Sequence, residues 1–275
     1  MQEDNKKKML NLGCGQRYSK DWVNLDFVSS DTKNVMAYNL SREIPYPDNY
    51  FDVVYHSHLL EHFTKTDAER FIKECYRVLI PGGIIRIAIP DLEQINKNYT
   101  KFLELAVNGD KIAEANYDWT LVEMYDQCVR NEPGGEMKEY INNKNLINRD
   151  FIKERIGYFF NIVTSYKPSG WKLFIKKRIS DEKINLIRRI IKFLINIIPG
   201  ERYRKIGKFR LSGEIHQWMY DRFSLSRLLT KYGFNMIEKR TAIDSYIENW
   251  QNYNLDTESD GKIYKADSLY IEAKK

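Results

Sequence analysis

The residues in this 275-residue chain best suited to chemistry are its four histidines, and they are unevenly placed. His56, His58 and His62 fall within one short stretch, and His216 stands alone far downstream. An imidazole titrates near neutral pH, so each can take or give a proton there. His58 and His62 are four apart and would share the face of a helical turn, with Glu61 beside them. That spacing also suits a metal ion, but no third ligand is evident, so no metal site is expected. His62 reads equally well as a helix-start residue bonded to backbone. His216 lies in GEIHQWMYD, Gly213 to Asp221. Its aromatic and acidic neighbours suit a base facing an acceptor, or else a buried structural histidine bonded to Asp221 or Glu214. Asp91, just after Pro90, is the carboxylate alternative for the base and also reads as the cap of a helix starting at Leu92. The catalytic candidates are therefore His216, His58 and Asp91.

A ligand-binding end is written near the start. MLNLGCG, Met9 to Gly15, sets two glycines directly after an apolar run. Glycine there permits positive φ and a close approach of backbone to ligand. Asp26 ends the next apolar run, where a carboxylate can accept both ribose hydroxyls of an adenosine. Only Gln16–Trp22 separates Gly15 from the strand starting at Val23. A crossover containing a full helix needs about 10–12 residues. The first helix must be a single turn or absent, which argues against a dinucleotide needing a helix N-terminus for its pyrophosphate.

These residues need a scaffold, and the hydropathy pattern supplies one. Short apolar runs at Met9–Leu12, Val23–Phe27, Val35–Leu40, Phe51–His56 and Ile84–Ile89 read as buried parallel strands. Ala68, Phe71, Ile72, Cys75 and Leu79 recur at helical spacing, capped by Thr66 or Asp67 and stopped by Pro81-Gly82-Gly83. Residues 93–215 are helical, aromatic and polar. Strand and helix signals return with a helix at Asp221–Tyr232 and strands at Phe234–Lys239 and Ser268–Ala273. The expected organisation is an α/β core over 1–92, a large helical insertion over 93–215, and a segment over 216–275 that completes the sheet.

The ordered set LNLGCG, VNLDF, IPYPDNYFDVVYHSHLLEHF and ECYRVLIPGGIIRIAIPDL resembles class I S-adenosylmethionine-dependent methyltransferases over residues 8–92. The similarity is to the type 11 group and to predicted methyltransferases of polysaccharide-biosynthesis loci. YDWTLVEMYDQCVR, GGEM, HQWMYDRFSLSRLLTKYGF and DSLYIEAKK resemble the later parts of those glycan-locus proteins. The resemblance implies a Rossmann-like sheet, mostly parallel with an antiparallel last strand, and S-adenosylmethionine as cofactor. It implies that Gly13, Cys14 and Gly15 face the methionine part and that Asp26 holds the ribose. Asn39 and Leu40 would lie by the adenine, and His56 and Ser57 by the amino-acid end. Arg17 stands about where the family has a third glycine, and would lie near the cofactor's carboxylate.

Methyl transfer to a sugar hydroxyl is an in-line displacement that needs a base, because the hydroxyl is scarcely ionised at neutral pH. Tyr117, Trp119, Glu123, Asp126 and Arg130 form a dense aromatic and polar cluster suited to a sugar. The same pattern fits an amphipathic helix with its aromatics in the core.

The charge is also uneven. Residues 172–210 hold 13 Lys or Arg against three acidic residues, a net of +10, and the rest of the chain carries −4. Within it, Ile184–Ile198 places ten apolar residues in one helical arc, which suits either an anionic membrane surface or packing on the core. A nucleic-acid binder would spread positive charge along its main domain, so nucleic acid is disfavoured. Cys14, Cys75 and Cys128 form no CxxC pair, which excludes a disulfide framework and suits a reducing compartment. With no secretory h-region, the expected location is cytoplasmic, peripheral at the inner membrane face if 172–210 meets lipid. The expected acceptor is a glycan, nucleotide-sugar or lipid-linked sugar. The alternatives are RNA or small-molecule methylation, and a catalytically inactive cofactor-binding scaffold.

Overall fold

The computed structural model describes residues 7–165 and 200–275. The amphipathic stretch Ile184–Ile198, and residues 172–199 of the basic segment, lie outside the described residues.

The apolar runs form a seven-stranded sheet. Its strands are β1 (Met9–Leu12), β2 (Val23–Asp26), β3 (Met36–Ala37), β4 (Phe51–Ser57), β5 (Leu79–Pro90), β6 (Asn235–Arg240) and β7 (Ser268–Lys274). The order is β3-β2-β1-β4-β5-β7-β6. The first five strands pair in parallel, and β7 runs antiparallel to both β5 and β6. This is the Rossmann-like class I methyltransferase sheet that the sequence leads one to expect.

Two boundaries differ from the reading of the sequence. β3 covers Met36–Ala37 rather than Val35–Leu40. The Asn39 side chain accepts hydrogen bonds from the backbone N–H and hydroxyl of Ser41, and this local turn withdraws the chain from the ladder. β5 begins at Leu79, before the Pro81-Gly82-Gly83 expected to be a turn. Leu79 already pairs with Phe51, and the register shifts before Val53 meets Ile84. Pro81 has no N–H to donate, so the ladder bulges there instead of ending.

One face of the sheet is covered by helices. α1 (Lys65–Val78) starts at Thr64, whose side chain accepts the Asp67 N–H, and it buries Ala68, Phe71, Ile72, Cys75 and Val78. The sequence shows the same periodicity up to Cys75, but the helix ends on Val78 with Leu79 already past it, and its cap is Thr64 rather than Thr66 or Asp67. A later helix, Arg222–Lys231, opens with a reciprocal Asp221–Ser224 capping box and buries Leu225 and Leu229 in the same core.

The opposite face is built differently. No helix occupies residues 13–22, between β1 and β2. Met9, Trp22, Val53 and Tyr55 instead meet Ile247, Trp250 and Leu255 from the connection between β6 and β7. Arg86 is fully buried beneath that connection. It donates to Asp256 and Glu272 and to the carbonyl oxygens of Thr241 and Asp244. A buried guanidinium needs such pairing, because an unpaired charge there would cost several kcal/mol.

Between β5 and the return of the chain stand α2 (Leu92–Val107) and α3 (Lys111–Leu121). A π-helical turn (Val122–Asp126) leads into α4 (Gln127–Val129). Then follow α5 (Gly135–Asn142), α6 (Arg149–Ile156), α7 (Phe159–Ser165) and α8 (Glu201–Arg210), and the helix Arg222–Lys231 is α9. Trp119, Val122, Ile141, Ile152, Ile156 and Phe160 form a separate core for these helices. The chain rejoins the sheet where Tyr220 bridges Asp91. No helix among the described residues is long and apolar enough to cross a membrane.

Candidate active site

The strand order reverses between β1 and β4, and in open α/β sheets ligands gather at the carboxyl ends of strands at such a point. A cavity of about 360 Å³ opens there, lined by Gly13, Cys14, Gly15, Tyr55, Ser57 and His58, with Tyr264 and Lys265 opposite. Gly13 and Gly15 have φ of 66° and 55°, in the region that favours glycine. A Cβ on Gly13 would lie 2.9 Å from the Leu59 side chain, whereas one on Gly15 would meet nothing within 4 Å. The Gly15 N–H donates to Asp26 Oδ2 at 2.8 Å, and the Val28 N–H donates to Oδ1 at 3.1 Å. A carboxylate has about four lone-pair sites, so two stay available to a vicinal diol. Cys14 is buried, and burial with the Asp26 charge pushes its thiol up to about 12, which keeps it protonated and unreactive.

Several expected contacts fall elsewhere. Arg17 lines the cavity, but its guanidinium is committed to the C-terminal loop. It donates to the carbonyl oxygens of Asn254, Leu255 and Thr257, pairs with Glu258 at 2.7 Å and stacks on Tyr264. It fixes the wall of the cavity and is not poised for a carboxylate inside it. His56 is fully buried on the α1 side of the sheet, edge-on to Phe71, and burial lowers its pKa to about 4. Strand alternation explains this: Tyr55 and Ser57 face the cavity, so His56 between them faces away. Leu40 packs in the main core, and Asn39 spends its carbonyl on Ser41.

Two features were missed in the sequence. Lys265 places a cation in the cavity wall, its pKa lowered by burial against the opposing pull of Asp267 and Glu61. Phe27 and Val28, next to Asp26, are exposed at 70% and 67%, so apolar surface flanks the Asp26 carboxylate. An apolar run continuing past the last strand residue was the available signal for the second. For Lys265, one of many lysines in polar loops, there was none.

The histidines converge with Glu61 on a short 3₁₀ turn, Leu60–His62, after β4. His58, at φ 49°, turns its ring so that Nε2 lies 2.8 Å from Ser268 Oγ and Nδ1 lies 3.2 Å from Glu61 Oε1. A carboxylate facing Nδ1 selects the tautomer with the proton there and leaves Nε2 as an acceptor. His216 Nε2 approaches the same Oε1 at 4.0 Å. The His62 ring stands edge-on to that of His216 with centroids 4.8 Å apart, and its Nδ1 donates to the Ile215 carbonyl oxygen at 3.1 Å. Burial pushes His216 down to about 3 and also lowers His62, so both are neutral at pH 7. Burial works against the Glu61 charge, but His58 contact and the surrounding imidazoles outweigh it and hold the carboxyl below its ordinary range. The partners expected for His216, Asp221 and Glu214, are both otherwise engaged. Asp221 caps α9 and Glu214 lies beside Arg130. Glu61, His62 and His216 each present a possible ligand atom within 4.8 Å of the others, whereas His58, which the spacing paired with His62, is not among them. Asp91 accepts the Gln94 N–H as the cap of α2 and lies 3.5 Å from the Lys239 ammonium. That is its capping role.

Comparison with known proteins converges on the same end of the sheet. The Methyltransferase domain family matches residues 10–87, from β1 into β5. The chain carries a class I S-adenosylmethionine-dependent methyltransferase domain. A probable S-adenosylmethionine-dependent methyltransferase of Mycolicibacterium smegmatis is 31% identical over 102 residues, 31% of this chain and 38% of that protein. A ubiquinone/menaquinone biosynthesis C-methyltransferase of Psychromonas ingrahamii is 31% identical over 112 residues, 38% of this chain and 43% of that protein. The chain thus spans about two fifths of the length of these curated relatives. A solved S-adenosylmethionine-dependent methyltransferase from Archaeoglobus fulgidus aligns over 98% of this chain and 86% of its own, at 14% identity and TM-score 0.38.

The residues of the methyltransferase domain fit S-adenosylmethionine. Gly15 leaves open space where a side chain would stand. Asp26 has lone pairs free for ribose hydroxyls, and Lys265 offers a cation for the amino-acid carboxylate.

The expected acceptor cluster does not assemble into one site. Trp119 has no exposed surface and belongs to the insertion core. Glu123 is buried against Arg155 at 3.2 Å. Tyr117 packs on Tyr99 with ring centroids 5.7 Å apart. Asp126 accepts the Glu136 N–H at 2.8 Å. Only Asp126 and Arg130 border an open groove, shared with Arg202 and Lys205 of α8. Aromatics at helical spacing were here a core pattern, as such patterns commonly are.

Proposed function

We propose that the protein is an S-adenosylmethionine-dependent O-methyltransferase acting on a sugar hydroxyl of a glycan, nucleotide-sugar or lipid-linked sugar. The observation that carries the oxygen-acceptor reading is His58. Its ring lines the cofactor cavity, its Nδ1 faces the Glu61 carboxylate, and its Nε2 lies 2.8 Å from the Ser268 hydroxyl. When bound, S-adenosylmethionine supplies an electrophilic methyl group on a sulfonium. Gly13 and Gly15 let the backbone approach it, Asp26 accepts from its ribose, Lys265 pairs with its carboxylate, and Phe27 and Val28 offer an apolar edge to the adenine. His58 Nε2 takes the hydroxyl proton, directly or through the Ser268 hydroxyl, while Glu61 stabilises the imidazolium that forms. The sugar class is supported by the resemblance to glycan-locus methyltransferases and by the polar groove along Asp126 and Arg130. The basic segment supports a position at an anionic membrane surface. Within it, α8 carries Arg202, Arg204, Lys205 and Lys208, with Tyr203 and, just past the helix, Leu211 exposed.

The test has three stages. Calorimetric titration with S-adenosylmethionine and its demethylated product should show micromolar binding that Asp26→Ala removes. Labelled methyl transfer is then screened across nucleotide sugars, lipid-linked glycans, quinols and RNA. Transfer to a sugar oxygen supports the reading, whereas transfer only to ring carbon or RNA overturns it. Flotation with anionic liposomes at low salt tests the membrane position, and absence of binding rejects it.

A further inference from the structure

We propose that Glu61, His62 and His216 form a binding site for a divalent transition-metal ion of the zinc class. The site shares Glu61 with the proposed base His58, and it is tested by metal binding without any methyl-transfer assay. One carboxylate and two imidazoles are the donor set such ions prefer over hard-oxygen cations. The candidate ligand atoms lie within 4.8 Å of one another, with His216 Nε2 and Glu61 Oε1 at 4.0 Å. Bonds of about 2.0–2.1 Å in a tetrahedron put ligand atoms about 3.4 Å apart, so small side-chain rotations close the gap.

Three further observations point to a ligand. Glu61 has no exposed surface, and its Oε2 has no hydrogen-bond partner among the described residues. His58 Nδ1 stands 3.2 Å from Oε1, which leaves Oε2 without a donor. Lys265 adds positive charge nearby without bonding the carboxylate. A bound cation would give the buried Oε2 the partner it lacks. Second, the His62 Nδ1–H is held by the Ile215 carbonyl oxygen, which fixes the ring and reserves Nε2, the usual arrangement behind a metal-ligating imidazole. Third, the frame is clamped by backbone. The Glu61 carbonyl oxygen accepts from the N–H groups of Gln217 and Trp218 at 2.7 and 3.2 Å, and the His216 N–H donates to Gln127 at 2.9 Å. The ion would join the turn after β4 to the segment by which the chain re-enters the sheet, making the two halves of the active-site rim one unit.

The experiment uses the full chain, stripped with chelator and titrated with Zn(II) by calorimetry and with Co(II) by visible absorption. The expected result is one equivalent bound per chain, visible Co(II) bands of low-symmetry nitrogen and oxygen coordination, and a higher melting temperature with Zn(II). Glu61→Gln, His62→Ala and His216→Ala should each weaken binding by at least about a hundredfold, since even outer-shell changes cost 10–100-fold. Far-UV circular dichroism checks that each variant is folded; His62 is the least buried of the three, so its variant is the safeguard. Failure of the wild-type chain to bind either metal below about 10 µM overturns the proposal, as does unchanged affinity in folded His62→Ala.

Discussion

Arg86 and Asp256 are joined by two hydrogen bonds, from Nε at 2.9 Å and Nη2 at 2.8 Å to the same carboxylate oxygen, across 170 residues of sequence. The other Asp256 oxygen accepts the Tyr55 hydroxyl at 2.6 Å. One carboxylate therefore holds β4, β5 and the connection that replaces a helix layer. Asp256→Ala should destabilise the chain by about 2–4 kcal/mol, because Arg86 keeps Glu272 but loses two hydrogen bonds and the buried Tyr55 hydroxyl loses its acceptor. Urea denaturation followed by tryptophan fluorescence measures it, and a loss under 1 kcal/mol would show that the connection is held by its apolar contacts alone.

Lys265→Met should weaken S-adenosylmethionine binding by about 10–100-fold, the worth of a charge-assisted hydrogen bond, and leave the melting temperature near wild type. Arg17→Ala should do the reverse, because its guanidinium holds the loop 254–258 rather than the ligand. Calorimetry and thermal unfolding on the same two variants separate the roles.

His58→Asn should lower the rate of methyl transfer by about 10²–10⁴-fold, the usual contribution of a positioned base. Cofactor affinity should change less than about threefold, because Gly13, Gly15, Asp26 and Lys265 are untouched. Single-turnover rates with the acceptor found by screening decide this. A rate within a few fold of wild type would move the base elsewhere.

Glu123 supplies a pH dependence. Burial, opposed by Arg155, pushes its carboxyl up to about 7. The folded state thus holds a proton between about pH 4.5 and 7 that the unfolded state has released, and stability falls as pH rises through that window. The size is about 3 kcal/mol at 1.36 kcal/mol per pH unit. Glu123→Gln should flatten this part of the stability profile, read as the difference between wild type and variant at pH 5 and pH 8. Parallel profiles would mean that the carboxyl is ionised throughout.

Gly157 adopts φ 62°, and a Cβ there would lie 2.7 Å from the Ile263 carbonyl oxygen and 3.0 Å from the Ala266 nitrogen. Gly157→Ala should push the loop carrying Lys265 away from α7, costing at least about 1 kcal/mol in stability. Cofactor affinity should fall with it, and normal binding by a normally stable variant would show the loop to be free to yield.

The strands were legible because each is a short apolar run bounded by polar turn residues, and Phe71, Ile72 and Cys75 carried α1 by spacing alone. Gly13, Gly15 and Asp26 stood out in the sequence because each follows or ends a short apolar run, and the fold joins Gly15 to Asp26 only 11 residues on. Arg17 was misread because its partners stand 237–241 residues away. The third member of the Glu61 and His62 group was hidden the same way, since nothing in a linear string shows that the chain after α8 returns to the turn after β4. Trp119 and Glu123 were ambiguous for another reason. An aromatic and a carboxylate one turn apart look alike whether they face a sugar or a private core.

The position of β7 has a consequence for how the protein is made. β5 lies between β4 and β7, and its antiparallel partner is Ser268–Lys274. Lys265, Asp256 and Leu255 also lie in the last tenth of the chain, yet they wall the cavity or cover the sheet beside β1. On the ribosome, β1 and β4 must wait with one face uncovered, and β5 with one edge unpaired, until residues 247–274 have emerged. Non-local pairing of this kind folds slowly and leaves apolar edges open to other chains meanwhile. The growing polypeptide is therefore most prone to aggregate before Ser268–Lys274 has emerged, and the cavity between β1 and β4 closes only once Lys265 has joined its wall.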